Sequence, residues 1–241
     1  MILMRYIRAL LAWVSVPVIC LLGLLLCLAR PFNPENTRII GWAVARTGRF
    51  LLGLERPLEG YEYMPTDRPT VIIANHQHND DLFLMADMLP PRTVAIGKAS
   101  LRWIPFFGQV FWLGGNVLIN RSRSTRAVAV IQTAAAAMTR ERKSLWIFPE
   151  GTRSHGKDLQ PFKKGAFHAA VAAGVPVTMV CAAPYQSETD GPLGRRRPVR
   201  LRVLPPIETA NLTPDDIPDL MTRCHNQMRE AIGELSEPPA D

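Results

Sequence analysis

Thr70-Val71-Ile72-Ile73-Ala74-Asn75-His76-Gln77-His78-Asn79-Asp80-Asp81 sets an apolar run of strand length against a loop of amides, imidazoles and carboxylates. Successive apolar residues with no polar alternation fit a strand covered on both faces, as in a parallel sheet packed between helices. Working outward, similar runs occur at Thr93 to Ile96, Asn116 to Ile119, Ser144 to Phe148, Val175 to Cys181 and Val199 to Leu204. Helical patterns lie between or after them: alanine-rich Thr125 to Met138, Lys164 to Ala173 stopped by Gly174, and a closing segment from Asp215 to Leu235. This alternation predicts an α/β fold with a mixed, largely parallel sheet flanked by helices.

At 241 residues the chain is long enough for one catalytic domain with an appendage. The appendage is N-terminal. No charged side chain interrupts Ala9 to Ala29, and as a helix that stretch measures about 32 Å, enough for a hydrocarbon core of roughly 30 Å. Its length and the lack of a clean A-x-A site favour retention over cleavage. Arginines flank both ends, so charge does not orient a simple span. Asn33-Pro34-Glu35 reads as an N-cap, a proline in the first turn and an early acid. The helix that follows places Ile40, Ala43, Val44, Phe50, Leu51 and Leu54 mainly on one side, with Arg38, Arg46 and Arg49 offered to lipid phosphates from the other. The expectation is a membrane-embedded helical pair in residues 1–56 ahead of a catalytic domain in residues 57–241. A single spanning anchor followed by an ordinary core helix is the alternative.

The formal charge of +7 and a pI near 9.6 call for an anionic partner, and charge alone admits nucleic acid, anionic lipid or a phosphorylated metabolite. A nucleic-acid module would leave the apolar start unexplained and lacks aromatic-basic interleaving, so no nucleic-acid partner is expected. Cys20, Cys27, Cys181 and Cys224 have neither metal-ligand spacing nor disulfide density.

Chemistry in an open α/β sheet gathers beyond the carboxyl ends of the strands. After the first apolar run, His76 and Asp81 are a base and an acid that can meet only if the chain turns between them, since residues five apart on a helix diverge by about 140°. On their own such a pair more often marks a structural turn or a metal ligand than a catalytic base and acid. Lys98 and Arg121 follow two further strands and could hold a phosphate between them, or be solvated surface charge. Pro105 to Gly108 is apolar enough to line an acyl chain, touch a bilayer or fill the core. Phe148-Pro149-Glu150-Gly151-Thr152-Arg153-Ser154 offers a glycine turn in which Arg153 can grip phosphate and Glu150 can orient Arg153 or a substrate hydroxyl. Arg195, Arg196, Arg197, Arg200 and Arg202 could meet anionic headgroups or an acidic carrier protein, or form a solvated edge.

Taken together, these blocks resemble those of bacterial 1-acyl-glycerol-3-phosphate acyltransferases. His76 with Asp81 is similar to that family's H-x4-D box. Lys98 through Gly108 with Ile119 to Arg121 resembles its second block, Phe148 to Ser154 its third, and Val175 to Thr178 its hydrophobic fourth. The N-terminal helix pair also resembles the family's membrane motif. The resemblance implies His76 and Asp81 as catalytic, glycerophosphate binding by Arg121, Glu150, Gly151, Thr152 and Arg153, no metal and no cofactor. Lys98 joins the substrate-binding set as a candidate. The implied reaction passes a fatty acyl group from acyl carrier protein or coenzyme A thioesters to lysophosphatidic acid at the cell inner membrane, from the cytoplasmic face. Another lysolipid acceptor is the alternative. Two departures stand out: His78 occupies a position where many members carry serine, and Ser100 one where they carry glutamate. Without serine in the box, direct attack by the lipid hydroxyl is expected, with His78 as an alternative second base.

Overall fold

Seven strands pair into one sheet in the computed structural model, which describes residues 2–120, 135–136, 138–187 and 198–237. They are β1 (Leu58–Glu59), β2 (Val71–Ala74), β3 (Thr93–Lys98), β4 (Val117–Ile119), β5 (Ser144–Ile147), β6 (Val177–Ala182) and β7 (Leu201–Ile207). Their order is β1-β7-β6-β2-β5-β3-β4. Pairing is parallel except between β6 and β7. The expected mixed, mostly parallel sheet is therefore present. The two-residue β1 has no apolar run to announce it and is recruited by β7 through the Leu58 to Leu201 register.

Because strand side chains alternate faces, β2 serves two cores at once. Val71 and Ile73 point to one layer, where Phe167 and Ala170 of α5 (Gly165–Ala173) and Leu220, Cys224 and Met228 of α6 (Ile217–Ser236) close over the sheet. Ile72 and Ala74 face the opposite layer with Trp146 and Val180, against Leu84 and Met85 of the short α3 (Asp81–Met85). α5 ends at Gly174, whose φ of 62° is left-handed, as a glycine C-cap requires. Of the alanine-rich stretch from Thr125 to Met138, residues 135, 136 and 138 are described and are helical.

The N-terminal pair lies over α3. α1 (Ile2–Ala29) packs one stripe, Ala12, Val16, Cys20 and Cys27, against Ile40, Val44 and Leu52 of α2 (Pro34–Leu52). Asn33 caps α2 as its side chain accepts the Glu35 N–H at 3.0 Å. The rest of α1 exposes Leu10, Leu11, Val14, Val18, Leu21, Leu22, Leu25 and Leu28. A helix apolar all round, with a single stripe covered by protein, is stable only if an apolar medium covers the remainder. Leu3–Ala29 is long and apolar enough to cross a membrane.

α2 departs from the expected lipid-facing arrangement of its cations. Arg49 turns inward, donating to the Phe83 carbonyl at 2.8 Å and pairing with Asp87 at 2.5 Å, and Arg56 joins it at 2.7 Å. Phe50, expected on the packed side, is 81% exposed. The helical wheel could not anticipate that α3 ends beneath Arg49 and needs donors for its last carbonyls. Arg38 pairs with Glu35, and Arg46 lies over the Trp42 ring, so these two do face outward.

α4 (Phe107–Leu113) follows the apolar Pro105 stretch. The stretch divides: Pro105 and Phe106 are exposed beside Trp103, Ile104 and Trp112, whereas Phe107 packs against the cluster of α1 and α2 and Gly108 is buried.

Candidate active site

Parallel pairing of β6, β2 and β5 brings three consecutive strand ends to one edge of the sheet, so loops 75–80, 148–156 and 183–187 converge. The first of these leaves the sheet under tight control. Asn75 extends the ladder by side chain: its Oδ1 accepts the Ala182 N–H at 2.8 Å and its Nδ2 donates back to the Ala182 carbonyl at 3.0 Å. Gln77 repeats the device one step out, donating to the Ala182 and Ala183 carbonyls and accepting the Tyr185 N–H. Two backbone bonds, Ser154 N–H to the His76 carbonyl and His155 N–H to the Gln77 carbonyl, tie the loop to its other neighbour.

The turn needed between His76 and Asp81 is supplied by residues 78–80, after which α3 begins at Asp81 itself. Nδ1 of His76 then lies 2.6 Å from Oδ2 of Asp81. That oxygen also accepts the Gln77 N–H at 2.7 Å and the His78 N–H at 3.2 Å, and Oδ1 accepts the Tyr185 hydroxyl at 2.6 Å. Asp80 points elsewhere, accepting from Ser187. With Nδ1–H donated to Asp81, the lone pair of a neutral His76 lies on Nε2, the tautomer a general base requires. The ring stacks on Phe148 with centroids 4.0 Å apart and keeps 18% of its side-chain surface exposed, so it is braced on one face and still open in part to solvent.

His78 does not share this access. Its Nε2 donates to the Tyr185 carbonyl at 3.2 Å and its Nδ1 is buried without a partner among the described residues, which leaves no accessible nitrogen for a second base.

Glu150, expected at the substrate, lies beneath the loop instead. It is 3% exposed, and its oxygens accept the His76 N–H at 2.7 Å and the Gln160 N–H at 2.9 Å. Burial pushes its carboxyl above the ordinary carboxylate value, against the opposing pull of those two donors. Gly151 closes the turn with its N–H on the Phe148 carbonyl at 3.1 Å. Its φ is +73°, and a Cβ there would come within 3.0 Å of the Lys163 side chain. Thr152 and Arg153 are exposed on the same turn. Lys163, which the motifs did not single out, therefore puts an ammonium against the glycine turn, its backbone N–H donating to the Pro149 carbonyl.

Lys98 is exposed at the end of β3, in register with Ile119 of β4 and at the same sheet edge. Arg121 lies outside the described residues, as do Arg195, Arg196 and Arg197. Arg200 and Arg202 are held by Glu59 at 3.0 and 2.8 Å, and Arg202 also by Glu234, so these two are internal ion pairs, not free cations for headgroups. The four cysteines are free and buried, and no cluster of metal-ligating side chains occurs among the described residues.

Sequence reasoning missed Tyr185. It follows β6, a wholly buried strand adjacent to β2, and the rule that placed His76 at a strand end applies equally to it; the uncharged Ala183-Pro184-Tyr185 gave no other signal.

Residues 56–182 match the family model described as acyltransferase. The chain is 38% identical over 228 residues to a 1-acyl-sn-glycerol-3-phosphate acyltransferase of Escherichia coli, covering 93% of this chain and 91% of that one. It is 35% identical to 1-acyl-sn-glycerol-3-phosphate acyltransferase alpha of Homo sapiens, covering 90% and 77%. The crystal structure of the 1-acyl-sn-glycerophosphate acyltransferase PlsC from Thermotoga maritima shares the fold, with a TM-score of 0.71 at 24% identity over 98% of this chain and all of that one.

Proposed function

The chain belongs to the acyltransferase family, among the 1-acyl-sn-glycerol-3-phosphate acyltransferases, and from that premise we propose how its residues divide the work of acylating lysophosphatidic acid to phosphatidic acid. The observation that carries the reading is the 2.6 Å bond from His76 Nδ1 to Asp81, which leaves Nε2 to meet a hydroxyl. Nε2 accepts the proton of the lipid 2-hydroxyl as its oxygen attacks the carbonyl carbon of an acyl thioester. Asp81 stabilises the imidazolium and stays ionised. As the tetrahedral intermediate collapses, the carbon–sulfur bond breaks and the thiolate takes the proton back from Nε2. No serine in the box offers an acyl-enzyme route.

Arg153 and Thr152, on an exposed turn a few residues from Glu150, are placed to receive the phosphate, with Lys163 and Lys98 as further cations at the same edge. Glu150 holds the His76 backbone and takes no part in binding the lipid. Gly151 contributes the left-handed bend. Arg121 remains in the proposed phosphate set on its resemblance alone.

Residues 1–56 serve as the membrane-associated segment and residues 57–241 as the catalytic domain. The enzyme works at the cell inner membrane with its sheet edge on the cytoplasmic face, where acyl carrier protein and coenzyme A thioesters are made. Support for membrane association comes from the exposed leucines of α1 and the outward Trp103, Phe106 and Trp112. The test is purified full-length protein in detergent, offered a panel of lysolipids with each thioester donor, products read by mass spectrometry. Phosphatidic acid is the expected main product. Faster acylation of a lysolipid without the phosphomonoester would overturn the acceptor assignment.

A further inference from the structure

Asp81 receives more donors than an orienting acid needs for its histidine, and one of them comes from outside all four motif blocks. The Tyr185 hydroxyl donates at 2.6 Å to Oδ1, the oxygen that His76 does not use. Its delivery is built in. The Tyr185 N–H donates to Gln77 Oε1 at 3.2 Å, its carbonyl accepts from His78 Nε2 at 3.2 Å, and its ring meets His78 edge-on at 5.1 Å. The loop after β6 and the loop after β2 thus fix each other, and the phenol is carried to the carboxylate by the residues that shape the catalytic turn.

We infer that Tyr185 is a positioning residue for acyl transfer: its phenol sets the rotation of the Asp81 carboxylate and draws charge from it, tuning how strongly Asp81 holds a protonated His76. The geometry separates the two oxygens by task. Oδ2 collects His76 and two backbone N–H groups, so anchoring Oδ1 fixes the plane in which Oδ2 faces Nδ1. A hydrogen bond to the charged form of a carboxylate lowers its basicity, and removing one makes it a stronger partner for a cation. The titratable groups around the pair are Glu150 under the His76 N–H, Asp80 next in the chain, His78 and His155 in mutual ring contact, and Tyr185 itself. Of these, Tyr185 meets Asp81 through a direct bond.

The inference rests on the acyl-transfer reading, so its test carries a readout that does not need turnover. Tyr185→Phe in the full chain, in detergent, is followed by steady-state kinetics across pH and by proton–nitrogen NMR of the histidine rings. The expected kcat is lower by about 5- to 30-fold, with KM for lysophosphatidic acid changed less than about threefold. The acid limb of kcat and the His76 midpoint should both move up by about half a unit, because a more basic Asp81 favours the imidazolium. Replacing Tyr185 with 3-fluorotyrosine keeps the ring and strengthens the donor, and should move both midpoints down. This second variant decides the matter if the phenylalanine protein does not fold. Unmoved midpoints with kcat within about twofold, or shifts of the same sign in both variants, would overturn the inference. If the His76 midpoint moves as expected in both variants but the wild type leaves lysophosphatidic acid untouched, the substrate reading is overturned and Tyr185's role stands.

Discussion

The loop after β2 and the turn after β5 lie side by side at one sheet edge, yet they are held in opposite ways. In the first, the side chains of Asn75, Gln77 and Asp81 are all engaged, and Asn75, Gln77 and Asp81 are buried. In the second, Glu150 is buried and bonded, but Thr152 and Arg153 stand in solvent. A base must hold its direction before substrate arrives, because misalignment by a fraction of an ångström raises the barrier directly. A phosphate grip can be completed by the phosphate itself, so its cations tolerate exposure. On the proposed assignment, rigidity follows the chemistry each loop is asked to do.

The sharpest way to break this contrast is on the rigid side. His76→Ala should lower kcat by about 10²–10⁴ with the fold intact, since a general base is removed and its cage is not. Near-normal turnover in a folded variant, judged by its unchanged melting temperature, would end the assignment. On the exposed side, Arg153→Ala should raise KM for lysophosphatidic acid by about 10- to 100-fold, the scale of one lost charge-assisted bond, with far less change in the thioester KM. Equal effects on both substrates would show that the turn is structural.

The smallest effect tests Glu150, the buried acid of the turn that exposes Thr152 and Arg153. Glu150→Gln leaves either the His76 or the Gln160 N–H facing an amide NH₂, for an expected loss of about 1–3 kcal/mol. Its pH dependence has a definite sign. Burial raises the folded carboxyl above its unfolded value, so its contribution to stability is complete below the ordinary carboxyl range and fades as pH rises through the folded one. Glutamine has no such dependence. The melting-temperature gap between wild type and variant should therefore be wider near about pH 4 than at about pH 7.5, and a gap that widens toward neutral pH would contradict the buried placement.

Much of this was legible in the sequence because apolar runs and strand ends obey local rules. All six expected strands appear, with shifted ends, and the H-x4-D spacing implied the bend that residues 78–80 supply ahead of α3. What could not be read was which partners distant segments would bring. Arg49 looked like a lipid-facing cation until Asp87 came to meet it, and Arg202 looked free until Glu59, 143 residues away, paired with it. Glu150 resembled a ligand residue because a strand-end acid has the same composition whether it faces solvent or a neighbouring N–H. Tyr185 was overlooked because its loop carries no charge.

Gly48 of α2 passes so close to Phe83 that a Cβ there would fall 2.0 Å from the ring, and Phe83 is fully buried within α3, the helix that Asp81 begins. Arg49, the next residue, holds the Phe83 carbonyl and the acid beyond that helix, Asp87. The N-terminal helical pair is thus a wall against which the sheet domain packs, as well as the proposed membrane tether. Cutting the chain at residue 56 to obtain a water-soluble enzyme would remove the surface against which the active-site helix is cast, and exchanging α1 and α2 for a foreign anchor would keep the address while discarding the mould.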